Sequence, residues 1–181
     1  MVKRWFDIIF SFVFLVIFSP ALLISWLILI MATQSNGLFF QKRVGQFGAL
    51  FTIYKLQTIH PKTGKISRIG YHMRKYKLDE FPQFINVLKG EMSVVGPRPD
   101  IQGYYDTLEG ENRKILELKP GITSLASLKY YNEEEILEQQ DNPLLYNDTD
   151  IFPDKVKMNL DYYYNQNLLL DLKIILKTIL R

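Results

Sequence analysis

The 181-residue chain contains no cysteine, which excludes a disulfide framework and any thiolate chemistry. Its only two histidines, His60 and His72, are too few for a histidine-rich metal site. Charge is also missing locally, because residues 8–41 contain no Asp, Glu, Lys or Arg. The net charge of +3 is modest and does not indicate a nucleic-acid-binding protein. Oxygen and amine side chains are therefore left to perform any chemistry.

The uncharged stretch predicts a membrane segment, because residues 8–32 are almost wholly apolar and a spanning helix needs about 20 such residues. Ser19-Pro20 lies in its middle, where the proline should bend a helix and the serine hydroxyl can bond a freed carbonyl. Lys-Arg pairs stand at both ends, at 3–4 and at 42–43. Positive flanks mark the cytoplasmic side, so the residues leave two paths open, a re-entrant hairpin and a single span.

Turn signals and apolar periodicity divide the remaining chain into short elements and predict a mostly helical α+β fold. The predicted strands lie at 38–43 and 50–54, which form a small β-hairpin, and at 92–95. The predicted helices lie at 69–76, 80–89, 100–118, from 132, and 155–181 with an optional break near 165–167, and a polar loop lies at 142–153. No linker is evident. We therefore expect a membrane segment at 1–35 and a catalytic domain at 36–181 that fold as one unit.

Two adjacent carboxylates, Asp79-Glu80, precede Pro82. Proline is tolerated in the first turn of a helix, so the pattern predicts a helix start with Asp79 as its N-cap. With an ordinary pKa of about 4, Asp79 would be ionised at neutral pH, and a phosphate could bind beside it at the helix N-terminus. Two anions need a cation between them, and Mg²⁺ prefers oxygen ligands. Taken alone, such a pair is more typical of a helix cap.

Two arginines are candidates for phosphate binding. Arg74 lies five residues before Asp79, and Arg98 stands between Pro97 and Pro99. The following proline keeps Arg98 out of the α region, so its side chain is presented from a stiff, extended backbone. Guanidinium groups bind phosphate through two parallel hydrogen bonds. Taken singly, Arg74 is more typical of a surface ion pair, and Pro97-Arg98-Pro99 is more typical of a turn.

In their order and spacing these features resemble the bacterial polyprenyl-phosphate sugar-1-phosphate transferases, the small monotopic phosphoglycosyl transferases. The likeness covers nearly the whole chain, and its pieces are weak singly but specific together. They are Lys3-Arg4 with Asp7, Ser19-Pro20, Gln41-x-Arg43-x-Gly45-x-x-Gly48-x-x-Phe51, Tyr54-Lys55, Arg74, Leu78-Asp79-Glu80-x-Pro82-Gln83-x-x-Asn86-Val87-Leu88-Lys89-Gly90, Met92-Ser93, Gly96-Pro97-Arg98-Pro99, Pro120-Gly121-Ile122-Thr123 and Leu170-Asp171-Leu172-Lys173.

The resemblance implies a two-step covalent reaction. Asp79 would attack the β-phosphate of a UDP-sugar and release UMP, and a polyprenyl (undecaprenyl) phosphate would then take the sugar phosphate from the enzyme. Mg²⁺ is the implied cofactor, held near Asp79, and Glu80 would assist catalysis. The implied substrate- and phosphate-binding residues are Lys55, Arg74, Arg98, Gln83 and Asn86. Hexose-1-phosphate and N-acetylated amino-sugar-1-phosphate both stay open as the transferred group.

The resemblance also implies a location at the cytoplasmic face of the bacterial inner membrane. The N-terminal helix would be re-entrant, with its bend at Ser19-Pro20 and both termini cytoplasmic. Amphipathic helices of the compact catalytic domain would lie at the interface with inner-leaflet lipid. The C-terminal segment, with Lys173, Lys177 and Arg181 four residues apart, fits such a helix, although core packing with a solvated basic edge fits it equally. No nucleic acid is expected as a partner, and a homodimer stays open.

Three positions depart from the commoner pattern of the family: Gln57 replaces a basic residue, Ser124 a glycine and Asn159 an aspartate. We expect these three replacements to affect the sugar preference and some of the contacts with phosphate.

Two rival functions follow from other features. Asp148-x-Asp150 has the spacing of a Mg²⁺-dependent glycosyltransferase, although a solvated turn is the more typical interpretation. A non-catalytic, membrane-anchored scaffold is the second rival, with the tyrosines at 162–164 and the basic C-terminal segment as its binding surface.

Overall fold

The computed structural model describes residues 2–181, which form a mostly helical α+β protein with two small sheets, as the sequence predicts at this level. Strands β1 and β2 form one sheet, and β3 and β4 form the other. The elements are α1 (Val2–Thr33), β1 (Leu38–Val44), β2 (Leu50–Leu56), α2 (Arg68–Lys75), α3 (Gln83–Lys89), β3 (Ser93–Val95), β4 (Gly121–Thr123), α4 (Leu125–Lys129), α5 (Glu133–Glu138), α6 (Pro143–Tyr146), α7 (Phe152–Asn165) and α8 (Leu168–Ile179).

Helix α1 is a single helical element that contains Pro20. Proline has no N–H to donate to the carbonyl of Val16, four residues back, and Ser19 Oγ donates to that same carbonyl at 2.9 Å. The predicted use of the serine hydroxyl is thereby confirmed. Among residues 2–181, α1 is the one helix whose length and composition suit a membrane crossing. Its re-entrant path stays a prediction.

The chain separates into two compact units. The first contains the described residues up to Arg43 together with Leu50–Met92, and the second contains Val44–Ala49 and Ser93–Arg181. The predicted division at residue 35, into membrane segment and catalytic domain, stays a prediction.

In the first unit, helix α3 packs along the N-terminal half of α1. The ring of Phe14 stacks on Phe84 with 4.0 Å between centroids and meets Phe81 edge-on at 4.8 Å. Further towards the start of α1, Arg4 reaches the carbonyl of Val87. The two helices therefore run in opposite directions along their contact. The buried apolar core of this unit is centred on Leu29, Leu56 and Met73.

In the second unit, β3 and β4 pair in parallel, with Ser93 opposite Gly121 and Val95 opposite Thr123. The predicted strand at 92–95 is thus confirmed to within one residue. The chain after β3 passes very close to β4: a Cβ atom on Gly96 would lie 2.3 Å from the carbonyl oxygen of Lys119. Glycine is therefore required where the backbone turns towards residues 97–99. A separate cluster of buried residues in this unit consists of Val44, Tyr105, Ile115, Leu116 and Val156.

Two predicted elements are wrong. Instead of a helix at 100–118, the chain forms short 3₁₀ segments at Tyr105–Thr107 and Gly110–Glu117, because Gly103 and Gly110 adopt positive φ angles of 99° and 55° that interrupt an α-helix. Instead of a loop at 142–153, α6 leads through a π-helical turn into α7.

The optional break in the last helix is confirmed. Helix α7 ends at Asn165 and α8 begins at Leu168. Asn167 caps the new helix, because its Oδ1 accepts a hydrogen bond from the N–H of Leu170 at 2.9 Å.

Candidate active site

Asp79 and Glu80 lie in a 3₁₀ turn, Leu78–Glu80, and not at the start of a helix. Helix α3 begins only at Gln83, with Pro82 as its N-cap, so the predicted role of Asp79 as N-cap is wrong. Pro82 has no N–H for the carbonyl of Leu78, which instead accepts from the N–H of Phe81 at 3.3 Å. A phosphate site beside Asp79 stays a prediction.

The turn is entered through a strained residue. Lys77 has φ 55° and ψ 22°, a left-handed conformation that is uncommon for a residue with a side chain. Two backbone hydrogen bonds fix it: its N–H donates to the carbonyl of Arg74 at 3.0 Å, and its carbonyl accepts from the N–H of Glu80 at 3.2 Å. Strain of this kind is concentrated at functional sites. It connects the end of α2, which carries Arg74, to the carboxylate pair.

Both carboxylates are buried: Asp79 is 5% exposed and Glu80 is 7% exposed. Glu80 Oε1 accepts a hydrogen bond from Lys55 Nζ at 2.9 Å, within an ion pair that is largely shielded from solvent. Lys55 lies on β2, which contacts the 3₁₀ turn. A cation is thus fixed at the carboxylate pair by the sheet.

Asp79 is the more unusual of the two acids. Its Oδ1 atom is buried and, within residues 2–181, has no hydrogen-bond donor. Burial, and then the neighbouring Glu80 carboxylate, raise the pKa of Asp79 from 3.8 to about 6, although Lys55 and Arg74 act in the opposite direction. The ordinary value expected from the sequence is therefore too low. At pH 7 about nine-tenths of such a group is still ionised, and the higher pKa makes the carboxylate a more basic nucleophile.

Asn86 joins α3 to the strand that carries Lys55. It is completely buried; its Nδ2 donates to the carbonyl of Thr52 at 2.7 Å, and its Oδ1 accepts from the N–H of Tyr54 at 3.2 Å. Nδ2 also donates to Glu91 at 2.7 Å. Both N–H donors of this amide and its oxygen therefore have hydrogen-bond partners within the protein. Gln83, the first residue of α3, is buried as well. The predicted substrate-binding roles of both residues stay predictions.

The first unit brings together four of the predicted site residues, and no local sequence signal predicts their convergence. Asp79 and Glu80 share a turn, Lys55 pairs with Glu80, and Arg74 affects the pKa of Asp79. Arg98 belongs to the second unit, in the segment that follows β3, and its predicted role stays a prediction. Sequence reasoning missed the strained backbone of Lys77, because lysine carries no signal for a left-handed conformation.

The three departures from the family pattern have structural roles. Ser124 caps α4, where its Oγ accepts from the N–H of Ser127 at 2.9 Å. Asn159 is buried and its Nδ2 donates to the hydroxyl of Tyr105 at 2.8 Å. Gln57 donates to the nearby carbonyl of Ile59. A neutral amide at position 159 suits this interior contact.

The donor set at Asp79 fits Mg²⁺ that is shared with a phosphate substrate. No group of three or more His, Cys, Asp or Glu side chains converges anywhere in residues 2–181, which argues against a cage built by the protein alone. Mg²⁺ in proteins is commonly held by one or two carboxylates together with substrate phosphates and water. The unpartnered, buried Oδ1 of Asp79 is suited to be one such ligand.

The rival carboxylates of the Asp148-x-Asp150 pattern lie in the π-helical turn and are exposed. Asp148 accepts a hydrogen bond from the hydroxyl of Tyr104 at 3.2 Å, and Asp150 accepts one from Thr149 at 2.6 Å. Their partners are those of a surface turn, so no observation favours the rival function.

Comparison with known proteins identifies relatives along the whole chain. This chain is 30% identical over 193 residues to a UDP-glucose:undecaprenyl-phosphate glucose-1-phosphate transferase of Caulobacter vibrioides, and the alignment covers 98% of this chain and 68% of that relative. It is 30% identical over 197 residues to a UDP-N-acetylgalactosamine-undecaprenyl-phosphate N-acetylgalactosaminephosphotransferase of Aeromonas hydrophila, covering 98% of this chain but only 43% of that relative. The sugar transferase EpsL of Bacillus subtilis is 30% identical to this chain over 189 residues, and the alignment covers 86% of EpsL.

The family comparison agrees with these relatives. The family model described as bacterial sugar transferase matches residues 1–181, and therefore this chain belongs to the bacterial sugar transferase family.

Proposed function

We propose that the protein transfers a sugar-1-phosphate from a UDP-sugar to undecaprenyl phosphate and releases UMP, the first membrane step in the assembly of a bacterial glycoconjugate. Family membership and the names of the Caulobacter and Aeromonas relatives support the reaction class. The observation that carries the proposal for this chain is the buried Asp79–Glu80 pair with Lys55 fixed beside it. The two relatives are named for different sugars, so the sugar has to be found by experiment.

In the first step, a carboxylate oxygen of Asp79 attacks the β-phosphorus of the UDP-sugar. The bond from that phosphorus to the oxygen bridging the two phosphates breaks, and UMP leaves with the bridging oxygen. The product is a mixed anhydride between the carboxyl of Asp79 and the sugar phosphate. Lys55 and Arg74 supply positive charge near this carboxyl, and phosphoryl transfer depends mainly on such positioning and charge neutralisation.

In the second step, a phosphate oxygen of the polyprenyl phosphate attacks the same phosphorus. The anhydride bond to Asp79 breaks, the carboxylate is regenerated and the polyprenyl-diphosphate sugar is released. Dividing the transfer into two displacements lets one site act on two substrates in turn. Glu80 holds Lys55 in place, and a role for Glu80 in moving protons belongs to the same proposal.

Mg²⁺ belongs to the proposal as a ligand of Asp79. When bound, it would neutralise the charge of the diphosphate. The orphaned Oδ1 of Asp79 supports this assignment. Lys55 keeps Glu80 engaged, so substrate phosphates and water would complete the coordination shell.

The membrane arrangement we propose is a re-entrant α1 that bends at Ser19-Pro20, with both termini on the cytoplasmic face of the inner membrane. The hydrogen bond of Ser19 to the carbonyl left without a donor by Pro20 supports a stable bend there. Helix α8 supports interfacial contact with lipid: Leu172, Leu176 and Ile179 are exposed, whereas Ile174 and Ile175 are buried in the protein.

Cysteine labelling of intact cells tests this topology in the chain, which has no cysteine of its own. A cysteine placed at the N-terminus should be protected from an impermeant reagent in the parent protein. Replacing Ser19 and Pro20 by alanine should straighten α1 into a span and expose that cysteine outside. Labelling of the parent protein from outside would contradict the re-entrant path.

The reaction itself is tested by intact-mass measurement after incubation of the purified protein with Mg²⁺ and a panel of UDP-sugars, without acceptor. We expect a stable adduct of one sugar phosphate with the proper donor, lost on addition of polyprenyl phosphate. Asp79→Asn should abolish the adduct, and Asp148→Asn serves as the matched control that should retain it. Sugar transfer to lipid without any adduct in rapidly quenched samples would contradict the covalent mechanism.

A further inference from the structure

We infer that Arg4, at the start of the membrane helix, is a positioning residue for the reaction: it holds the C-terminal end of α3 and thereby sets the place of the Asp79–Glu80 turn. In the sequence, Lys3-Arg4 is a positive flank of the membrane segment and a piece of the family pattern, and neither assigns Arg4 a part in the reaction. In the structure, the guanidinium group of Arg4 donates hydrogen bonds to backbone carbonyls of α3.

The contact is specific in its geometry. Nη1 of Arg4 donates to the carbonyl of Val87 at 2.6 Å, and Nη2 donates to the carbonyl of Leu88 at 2.9 Å, more than 80 residues away along the chain. Both carbonyls belong to the last turn of α3, where an α-helix carries partial negative charge; the carbonyl of Val87 also accepts from the N–H of Gly90 at 3.0 Å, so Arg4 adds a second donor there. Two successive carbonyls match the two donors of a planar guanidinium, whereas a lysine ammonium is a single point of charge.

Helix α3 requires such external support. It has seven residues, and isolated helices of this length do not form in water. Its end at Lys89 is shaped by Gly90 with φ 88°, and its middle is joined to β2 by Asn86. On the α1 side, Phe14 stacks on Phe84, and Arg4 holds the last turn.

The support is transmitted to the carboxylates along a short, continuous backbone. The 3₁₀ turn with Asp79 and Glu80 is followed after two residues by α3, and hydrogen bonds from Phe84 to Phe81 at 3.1 Å and from Ile85 to Pro82 at 3.0 Å continue the helical path between them. A shift of α3 along its axis therefore moves the turn. Nucleophilic displacement is sensitive to such shifts, since about 1 Å of misplacement can cost a factor of about 100 in rate.

Three variants separate this role from the loss of a positive flank. Arg4→Gln removes the charge and the paired donors. Arg4→Lys keeps the charge but not the paired geometry. Lys3→Gln is the matched control, because it removes one positive charge from the same flank at the neighbouring position.

The first measurement does not depend on the reaction. Amide hydrogen exchange in nanodiscs should be about tenfold or more faster at residues 83–90 in Arg4→Gln, intermediate in Arg4→Lys and unchanged in Lys3→Gln, because local opening of α3 loses its C-terminal support. Equal exchange in all four proteins would overturn the inference, whatever their activity.

The second measurement rests on the proposed function and follows adduct formation from the UDP-sugar in a single turnover. Arg4→Gln should lower the maximal rate about 10- to 100-fold with less change in the donor concentration at half-maximum, while Lys3→Gln keeps the parent rate.

The outcomes are distinguishable. A parent protein that forms no adduct contradicts the proposed function, and the exchange measurement still decides on Arg4. A parent protein that forms the adduct, with Arg4→Gln equally fast, overturns the positioning role and leaves the proposed function intact. A slower Arg4→Gln accompanied by an equally slow Lys3→Gln would assign the effect to the positive flank, which also overturns it.

Discussion

Replacement of Asp79 by asparagine should stabilise the fold while abolishing the reaction. The pKa of Asp79 is raised from 3.8 to about 6 in the folded protein, so folding opposes ionisation of this side chain. The penalty is complete above about pH 6 and disappears as the pH falls from 6 towards 3.8. Asparagine has nearly the same shape and no charge, and it is free of this penalty at every pH.

The magnitude follows from the shift. A displacement of about two pKa units corresponds to about 3 kcal/mol at pH 8, and linkage leaves about half of that at pH 5. The conversion applies here because Asp79 is only 5% exposed. In a chain of this length 1 kcal/mol changes the melting temperature by about 2–4 °C, so the variant should melt about 6–12 °C higher than the parent at pH 8 and about half as much higher at pH 5.

The assay is thermal unfolding in detergent micelles, monitored by tryptophan fluorescence at both pH values. Asp141→Asn, which neutralises an exposed carboxylate between α5 and α6, is the matched control and should leave the melting temperature nearly unchanged at either pH. An Asp79→Asn variant that melts below the parent at pH 8, or whose gain is the same at pH 5 and pH 8, would refute the reasoning that burial raises the pKa of this acid.

Three further predictions follow from the same unit and its neighbour. Lys55→Gln removes a charge that lowers the pKa of Asp79, so the acidic limb of adduct formation, expected near pH 6 in the parent, should move to higher pH and the maximal rate should fall; a limb displaced to lower pH would contradict this. Asn86→Ala leaves buried backbone groups without partners and should lower the free energy of unfolding by about 2–4 kcal/mol, measured by denaturant titration against Asn112→Ala at an exposed position. Gly96→Ala forces a Cβ against the carbonyl of Lys119 and should reduce folded yield severely. Gly64→Ala has open space around it and faces only the backbone strain of a φ of 67°, so it should be tolerated better; equal yields would refute the packing argument.

Asp79 illustrates a conflict between stability and activity at one residue. An ionised carboxylate in a buried turn costs free energy that a neutral amide does not, but an amide cannot serve as the proposed nucleophile. Lys55 reduces that cost by its charge while it is itself fixed by Glu80. Binding of a cation at Oδ1 would reduce it further, so Mg²⁺ together with donor should raise the melting temperature of the parent more than that of Asp79→Asn.

Local chemistry in the sequence predicted several elements correctly. Ser19-Pro20 predicted the use of the serine hydroxyl, because this hydrogen bond depends on residues within one turn, whereas the bend at Pro20 stays a prediction. Gly90 predicted the end of α3, and Asn167 lies at the break between α7 and α8, because caps and left-handed residues are also local. The helix at 100–118 was wrong, since Gly103 and Gly110 interrupt a stretch whose polarity alone is compatible with a helix.

The sequence by itself determined the membrane helix, the carboxylate pair and the order of motifs that marks the family, because each depends only on neighbouring residues or on their spacing. Only the tertiary structure decided that Asp79 lies in a strained 3₁₀ turn, that burial raises its pKa, and that Lys55 and Arg4 act on the turn and on the helix behind it. These are contacts between residues 25 to 84 positions apart, and burial is a property of what surrounds a side chain. The conformational preferences of single residues carry no information about such contacts or about burial, so the raised pKa of Asp79 can be identified only in the folded chain.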